Sequence, residues 1–455
     1  MGGDTCASTQ YAAEPGSRRS WVGGEQDPCT ATRVGNFRMS SNRSTILVIC
    51  QVFEPDPAAV GQQVADVARE MARRGWRVVV YTSARGYEDS SICYPRREER
   101  DGVTIRRLPF SSFGKRSIAE RLIAQMLFMA QAMFWGVWTC GLDAVLVSTS
   151  PPFAGFGGAI LATFRRVPFI WWVMDVNPDQ IIVAGTLSNR SMFVRVFRWM
   201  NRFTLARAAS VIALDRFMAE RIRGQAGVPI TVEVVPPWAK TDVGQVPQEE
   251  ALGFRRAHKL EKAFVVMYSG NHAIQHPLET LLDAARRLEH DPRFVFVFIG
   301  GGAGKAAVEA RIAEGMKNLR SLPFQPLDSL RLSLGAADLH VVSMGDEVVG
   351  IVHPCKIYGA MAVGRPILFF GPDRSHGGEI IHDHDIGWNV SHGDVDAAVK
   401  AITAAAAMAT ADLAHLGDNA AVAVAADFDP NRLWGRVCDI IEKSSEPWPR
   451  NIKPT

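Results

Sequence analysis

No CxxC pair occurs in this sequence, and its seven cysteines, at positions 6, 29, 50, 93, 140, 355 and 438, are scattered and odd in number. That pattern supplies neither a disulfide framework nor the paired spacing of a structural zinc site; it suits reduced, packing thiols in a cytosolic protein. Residues 1–38 hold no apolar run, so the hydrophobic segment of a secretory signal is missing there, and their Gly, Ser, Thr, Ala and charge point to a disordered tail. Met39, just ahead of the first convincing strand, is a second candidate start. Charge of one sign is also in short supply: 50 Lys and Arg against 47 Asp and Glu leave +3 over 455 residues. Nucleic acid is therefore not an expected partner. A triphosphate-binding loop is absent too. In Ile299-Gly300-Gly301-Gly302-Ala303-Gly304-Lys305 the required first glycine would be Ile299, and Ala306 stands where Ser or Thr would hold Mg²⁺.

What the chain does have is length, apolar residues (47%) and a regular alternation. Residues 45–50 form a continuous apolar run, as a strand buried on both faces requires. A Pro-rich loop (54–57) leads to helical spacing over 60–74, with Val64, Val67, Ala68 and Met71 on one face, and Gly75 ends it before a buried strand over 76–82. Strands follow over 103–108, 144–148, 169–173, 210–214 and 231–235, with helices over 118–138, 153–164, 192–206 and 216–226. Pro236-Pro237 closes that series, and 241–262 reads as a polar linker with one helix. A second series holds strands at 264–269, 294–299, 339–343 and 367–370, helices at 278–288 and 306–317, and a helix opening at Pro354. The last helices are expected over 395–407 and 430–441. The alternation predicts an α/β protein of two Rossmann-like doubly wound parallel-sheet domains, 39–240 and 241–425, with ligands bound at the carboxyl ends of the strands, in the cleft between them.

Within that frame the segment 338–372 carries the sharpest chemistry. Pro354 suits the first helical position, and Lys356 adds a full positive charge to free backbone N–H groups at a helix start, a site for a diphosphate. Most such joints bind nothing. Asp175 falls at the carboxyl end of the strand over 169–173, where a carboxylate can orient or deprotonate an acceptor hydroxyl; the plainer reading is a turn residue ahead of Asn177-Pro178. Glu379, after Gly377-Gly378 at a helix start, complements the helix dipole or contacts a sugar hydroxyl. His376, His382, His384 and His392 cluster with Asp383 and Asp385, and a solvated surface outweighs a metal site. No metal or cofactor is expected.

Residues 122–142 contain no charge over 21 positions, the length of a membrane span. Flanking strands of one sheet argue instead for a helix partly buried and partly resting in a lipid interface. On the helix over 192–206, Arg195, Arg198 and Arg202 share one face, opposite Phe193, Val196, Phe197, Met200 and Phe203. Basic amphipathic helices with aromatics bind anionic lipid, and equally lie on a sheet with a solvated Arg face.

Taken in order, several segments are similar to those of family 4 glycosyltransferases of the GT-B fold, in the bacterial exopolysaccharide and O-antigen branch. They are Arg74-Gly75-Trp76-Arg77-Val78, Ser148-Thr149-Ser150-Pro151-Pro152, Asp175–Pro178, Tyr268-Ser269-Gly270-Asn271, Phe298–Gly302, His353-Pro354-Cys355-Lys356-Ile357-Tyr358 and Ala360-Met361-Ala362 with Gly364 and Pro366. The resemblance spans residues 45 to about 441. It implies a metal-independent, retaining transfer of a sugar from a nucleotide diphosphate donor to a lipid-linked glycan or polyprenyl-diphosphate acceptor, at the inner face of the cytoplasmic membrane. Donor contacts would come from Gly270, Asn271, His276, Gly301, Gly302, Pro354, Cys355, Lys356 and Glu379, with Asp175 and Lys356 as catalytic groups. The helix within 426–445 would cross back to the first domain. Ile351 and Gly359 stand where the family carries two glutamates, so the sugar-side carboxylate is absent or moved to Asp346 or Glu347. A basic residue common after the Ser-Gly strand end is missing, with His272 and His276 nearby as partial substitutes. Two other readings stay open: a sugar-nucleotide epimerase of the same architecture, and a non-catalytic scaffold of a polysaccharide assembly complex.

Overall fold

The computed structural model describes residues 43–56, 58–86, 90–111, 118–240 and 242–446; the expected tail, Met39, Cys6 and Cys29 lie outside them. The first half is built on β1 (Thr45–Ile49), β2 (Arg77–Ser83), β3 (Arg97–Arg100), β4 (Val103–Leu108), β5 (Leu142–Ser148), β6 (Phe169–Trp172), β7 (Ser210–Ala213) and β8 (Val232–Val234). They form one sheet in the order β3-β4-β2-β1-β5-β6-β7-β8, parallel except for β3, which pairs antiparallel with β4. Strand β3 is Arg-Glu-Glu-Arg and carries no apolar signal, so the sequence pattern misses it. Its turn is legible: Asp101 and Gly102 both adopt positive φ, 51° and 79°, the Asp-Gly hairpin chemistry. Helices α1 (Ala59–Arg73), α2 (Ile118–Val137), α3 (Ala154–Arg165), α4 (Asp179–Val183), α5 (Met192–Leu205) and α6 (Arg216–Ala226) surround it.

The second half opens with α7 (Gln248–Ala257) and holds β9 (Phe264–Ser269), β10 (Phe294–Ile299), β11 (Leu319–Leu322), β12 (Leu339–Ser343), β13 (Ile367–Phe370) and β14 (Gly387–Val390), all parallel, in the order β11-β10-β9-β12-β13-β14. Its further helices are α8 (Glu279–Arg287), α9 (Lys305–Ala313), α10 (Leu330–Gly335), α11 (Lys356–Ala362), α12 (His376–His384), α13 (Val395–Ala407) and α14 (Thr410–Asp427). Strands β11 and β14, and α14, have no counterpart among the elements expected from the sequence. Helix α14 lays Gly417 directly against the Gly364 carbonyl, where any Cβ would clash, and so packs over α11.

Helix α15 (Pro430–Ser445), capped by Asp429, leaves the second half and packs on α1 of the first. Arg74 binds Asp439 at 2.6 Å and Glu442 at 2.8 Å, Trp76 Nε1 donates to Glu442 at 3.2 Å, and Cys438 is buried beneath them. The chain thus crosses between the halves twice.

No single helix among the described residues is long and apolar enough to cross a membrane. Helix α2 buries Ala124, Phe128, Met129 and Ala132 and leaves Ile123, Met126, Leu127, Phe134 and Trp135 exposed. Arg165 donates to the Val137 and Thr139 carbonyls at 2.5 and 2.8 Å, capping the end of α2. The face division expected for α5 is corrected. Its inward stripe is Val194, Phe197, Asn201, Thr204 and Leu205, whereas Met192, Phe193, Val196 and Trp199 face outward beside Arg195 and Arg202.

Candidate functional site

The carboxyl ends of β9 and β10 run into two glycine loops locked together by backbone. Gly270 N–H donates to the Ile299 carbonyl at 2.9 Å, His272 N–H to Gly301 at 2.7 Å, and Gly304 N–H to His272 at 2.8 Å. Gly300 takes φ 127° and lies so near the Gly270 carbonyl that no Cβ fits; at Gly302 the obstacle is Asn271 Oδ1. Gly270, at φ 134°, leaves room for a third partner: an added Cβ would meet Lys356 Cε at 2.5 Å. The structure therefore brings Gly270, Asn271, Gly301, Gly302 and Lys356 to one place. The lysine stem lies on Gly270, and its Nζ stands 5.3 Å from the centroid of the Tyr268 ring, a cation–π contact. Burial pushes the ammonium down to about 8, and no carboxylate pairs with it among the described residues. Lys305 serves the loop itself, because its Nζ donates to the Gly300 and Leu322 carbonyls at 2.6 and 2.8 Å and stiffens the turn.

Pro354 is not the first helical residue. Its carbonyl accepts from Ile357 N–H at 3.1 Å in a tight turn, Cys355 is the cap, and α11 begins at Lys356. The Cys355 thiol is pushed up to about 12, by burial first and then by the negative charge of Asp175. Asp175, just past the end of β6, is therefore near the turn that carries Lys356. The next residue confirms the approach, since Val176 N–H donates to the Ile351 carbonyl at 2.9 Å. Burial raises the Asp175 carboxyl to about 6.

His272 is corrected: its ring is wholly buried between Tyr268 and Phe298, with the basicity pushed down to about 4, and it cannot replace a missing cation. His276 is also buried; its Nδ1 donates to the Ser343 carbonyl at 2.7 Å, which leaves a neutral ring near Lys356. Glu379 is held by Arg216 of the first half, whose Nε lies 3.0 and 3.1 Å from its two oxygens. The histidine cluster disperses. His376 is partly buried, His382 is exposed, and His392 Nε2 bonds the Met344 carbonyl at 2.9 Å. Among the described residues no group of three or more His, Cys, Asp or Glu is arranged to hold a metal ion.

The two halves meet closely. Gly350 abuts the Phe217 carbonyl at a distance no Cβ would tolerate. Asp215, the cap of α6, accepts from His353 Nδ1 at 2.8 Å; burial raises its carboxyl, but the hydrogen bond and charge of His353, with His376 and the Met218 N–H, together outweigh that and hold it low. His353 Nε2 lies 2.8 Å from the Tyr358 hydroxyl, which is 3.1 Å from His376 Nε2. Sequence reasoning misses this chain of groups. Asp215 has the signature of a helix cap, but no spacing links position 215 to 353. Beside this contact an open cleft of about 500 Å³ lies between α4 (Val183, Ala184) and the second half, where Gln275, Thr280, Asp346 and Glu347 line it. Ile351 is buried, and a side chain at Gly359 would meet only Leu334 Cδ1, at 3.6 Å. Asp346 and Glu347, the two candidates for a displaced carboxylate, both stand on the cleft wall.

Comparison with known proteins gives a consistent picture. The profile of the glycosyl transferase 4-like domain matches residues 58–238, and that of glycosyl transferases group 1 matches 253–421. The chain is 26% identical over 262 residues to the probable glycosyltransferase WbjE of Pseudomonas aeruginosa, covering 57% of this chain and 65% of that protein, just under two thirds of its length. It is 24% identical over 338 residues to the putative colanic acid biosynthesis glycosyl transferase WcaI of Escherichia coli (strain K12), covering 70% of this chain and 81% of the relative. Among solved structures it resembles HepE of Anabaena in complex with UDP-glucose (TM-score 0.64, 16% identity, 88% of this chain and 99% of that one). It also resembles WaaG, a glycosyltransferase involved in lipopolysaccharide biosynthesis (TM-score 0.64, 14% identity, 87% of this chain and 99% of that one).

Proposed function

Since the chain belongs to the family 4-like, group 1 glycosyltransferases of the GT-B fold, we propose that it moves a sugar from a nucleotide diphosphate donor to a lipid-linked glycan or polyprenyl-diphosphate acceptor during bacterial surface polysaccharide synthesis. The transfer retains the anomeric configuration and needs no metal. One observation carries this reading. Lys356 is a half-buried ammonium with no carboxylate partner among the described residues, laid across Gly270 at the carboxyl edge of the second sheet. An unpaired cation kept from water is costly, and an arriving diphosphate offsets that cost. Gly270, Asn271, Gly301 and Gly302 present close backbone along the donor. As the bond from the anomeric carbon to the diphosphate breaks, charge develops on the leaving oxygen and Lys356 neutralises it. Asp175, with a carboxyl near 6, accepts the proton of the acceptor hydroxyl as the new glycosidic bond forms. The UDP-glucose named for the HepE structure and the polysaccharide names of the relatives support the substrate classes.

The acceptor lipid gives the exposed apolar surface of the first half a purpose. Helices α2, α3 and α5 pack side by side, and Phe134, Trp135, Trp138, Phe164, Phe193 and Trp199 are all exposed on them or at their ends. We read this surface as resting on the cytoplasmic face of the membrane, with Arg195 and Arg202 at the headgroups.

A thermal-shift panel of UDP-, GDP-, ADP- and dTDP-sugars tests the donor reading, because a true donor raises the melting temperature with concentration. The expected result is one responsive nucleotide whose effect is lost in Lys356→Ala. An unchanged response in that variant would remove Lys356 from the donor site.

A further inference from the structure

Asp215 and Arg216 are consecutive residues at the start of α6 in the first half, and both reach across to the second half. Arg216 holds Glu379 on α12, and Asp215 holds His353. The two oxygens of Asp215 have separate duties. Oδ1 accepts from Met218 N–H at 2.7 Å and caps α6, while Oδ2 accepts from His353 Nδ1. His353 in turn bonds Tyr358, five residues ahead, with the two rings parallel and their centroids 5.7 Å apart. Between these two anchor points lie Pro354, Cys355 and Lys356. The pair therefore braces the turn that carries the lysine, and His376 on α12 holds the Tyr358 hydroxyl from the far side. Asp215 and His353 are both buried, so water does not compete for the bond between them. Separating the halves would break that bond and release one end of the brace.

We propose that Asp215 and His353 are positioning residues: the bond between them makes the placement of Lys356 conditional on the two halves being closed. This rests on Lys356 being the diphosphate ligand. The variant that isolates the bond is Asp215→Ser, because serine still caps α6 but is too short to hold His353. Tyr358→Phe breaks the brace from its other end without touching α6. Calorimetric titration of the full chain with UDP, GDP, ADP and dTDP identifies the nucleotide bound most tightly, which then serves as the probe. Asp215→Ser and Tyr358→Phe are each expected to weaken it about tenfold in the Lys356 background and to cause no further loss in Lys356→Ala. Equal losses in both backgrounds, or no loss in either, overturn the positioning role, because a general loosening of the fold does not depend on which residue stands at 356. If Lys356→Ala alone binds as tightly as the unaltered protein, the ligand assignment of Lys356 falls first and this inference with it.

Discussion

At the scale of single residues, the chemistry concentrates on an ammonium whose surroundings are short of water and of countercharge. Burial lowers Lys356 from its ordinary 10.5 to about 8 in the absence of ligand, so it is charged below that pH and increasingly neutral above it. The diphosphate is already largely ionised at pH 7 and gains no positive group above it, so its own charge changes little across this range. Nucleotide diphosphate affinity should therefore hold steady up to about pH 8 and fall as pH rises beyond it, and titration calorimetry between pH 7 and 9.5 would measure this. In Lys356→Ala the dependence should disappear; a slope that survives there belongs to another group. Sequence order makes Lys356, Gly270 and Gly301 legible, because each follows an apolar strand. The loss of Pro354 as the first helical residue is not legible. It depends on a local turn hydrogen bond, and element ends are where patterns are weakest. His272 and His376 read as polar loop residues, but the fold buries the first ring and partly covers the second, and only tertiary packing decides that.

At the scale of elements, helix periodicity locates α5 but assigns its faces wrongly. The pattern of Phe193, Val196 and Phe197 fits an inward stripe equally well when rotated by one position, and packing against α3 and α6 chooses the register of Val194 and Phe197. The displaced residues face outward, one helix away from the exposed aromatics of α2. Exposing this much aromatic surface is unusual for a protein with no partner on that face. Replacing Phe134, Trp135 and Trp138 together with Ser should lower co-sedimentation with phosphatidylglycerol vesicles by at least about tenfold, given roughly 1.5–3 kcal/mol for each fully buried large side chain. The melting temperature should hardly move, since these side chains make little use of the core. Binding that persists unchanged would assign the surface to a different partner. The Arg195 and Arg202 contribution should be visible as weaker binding to neutral vesicles, at about 1 kcal/mol per charge.

At the scale of the whole molecule, the two doubly wound sheets follow from the alternation of strands and helices, because continuous apolar runs of four to seven residues admit few other arrangements. The antiparallel β3 escapes because it carries no apolar run, and the long α14 because its Ala- and Val-rich stretch over 420–426 shows no helical alternation of apolar and polar residues. Helix α15 has the largest consequence for folding. Leu433, Val437, Cys438, Ile440 and Ile441 are buried against the first half. Five such side chains contribute on the order of 10 kcal/mol, comparable to the net stability of an entire domain. A chain truncated at Asp429 should therefore lose cooperative unfolding of the first half, seen as a missing transition in calorimetry, while the second sheet still melts. Retention of both transitions would show that α15 only decorates the surface.

The return of α15 has a mechanical outcome as well. Two segments join the halves, one after β8 and one before Pro430, and a body pinned at two points can swing only about the line through the pins. Sliding and twisting would be resisted at both junctions, so any opening of the halves would follow a single arc that returns Asp175 and Lys356 to the same mutual orientation on closing.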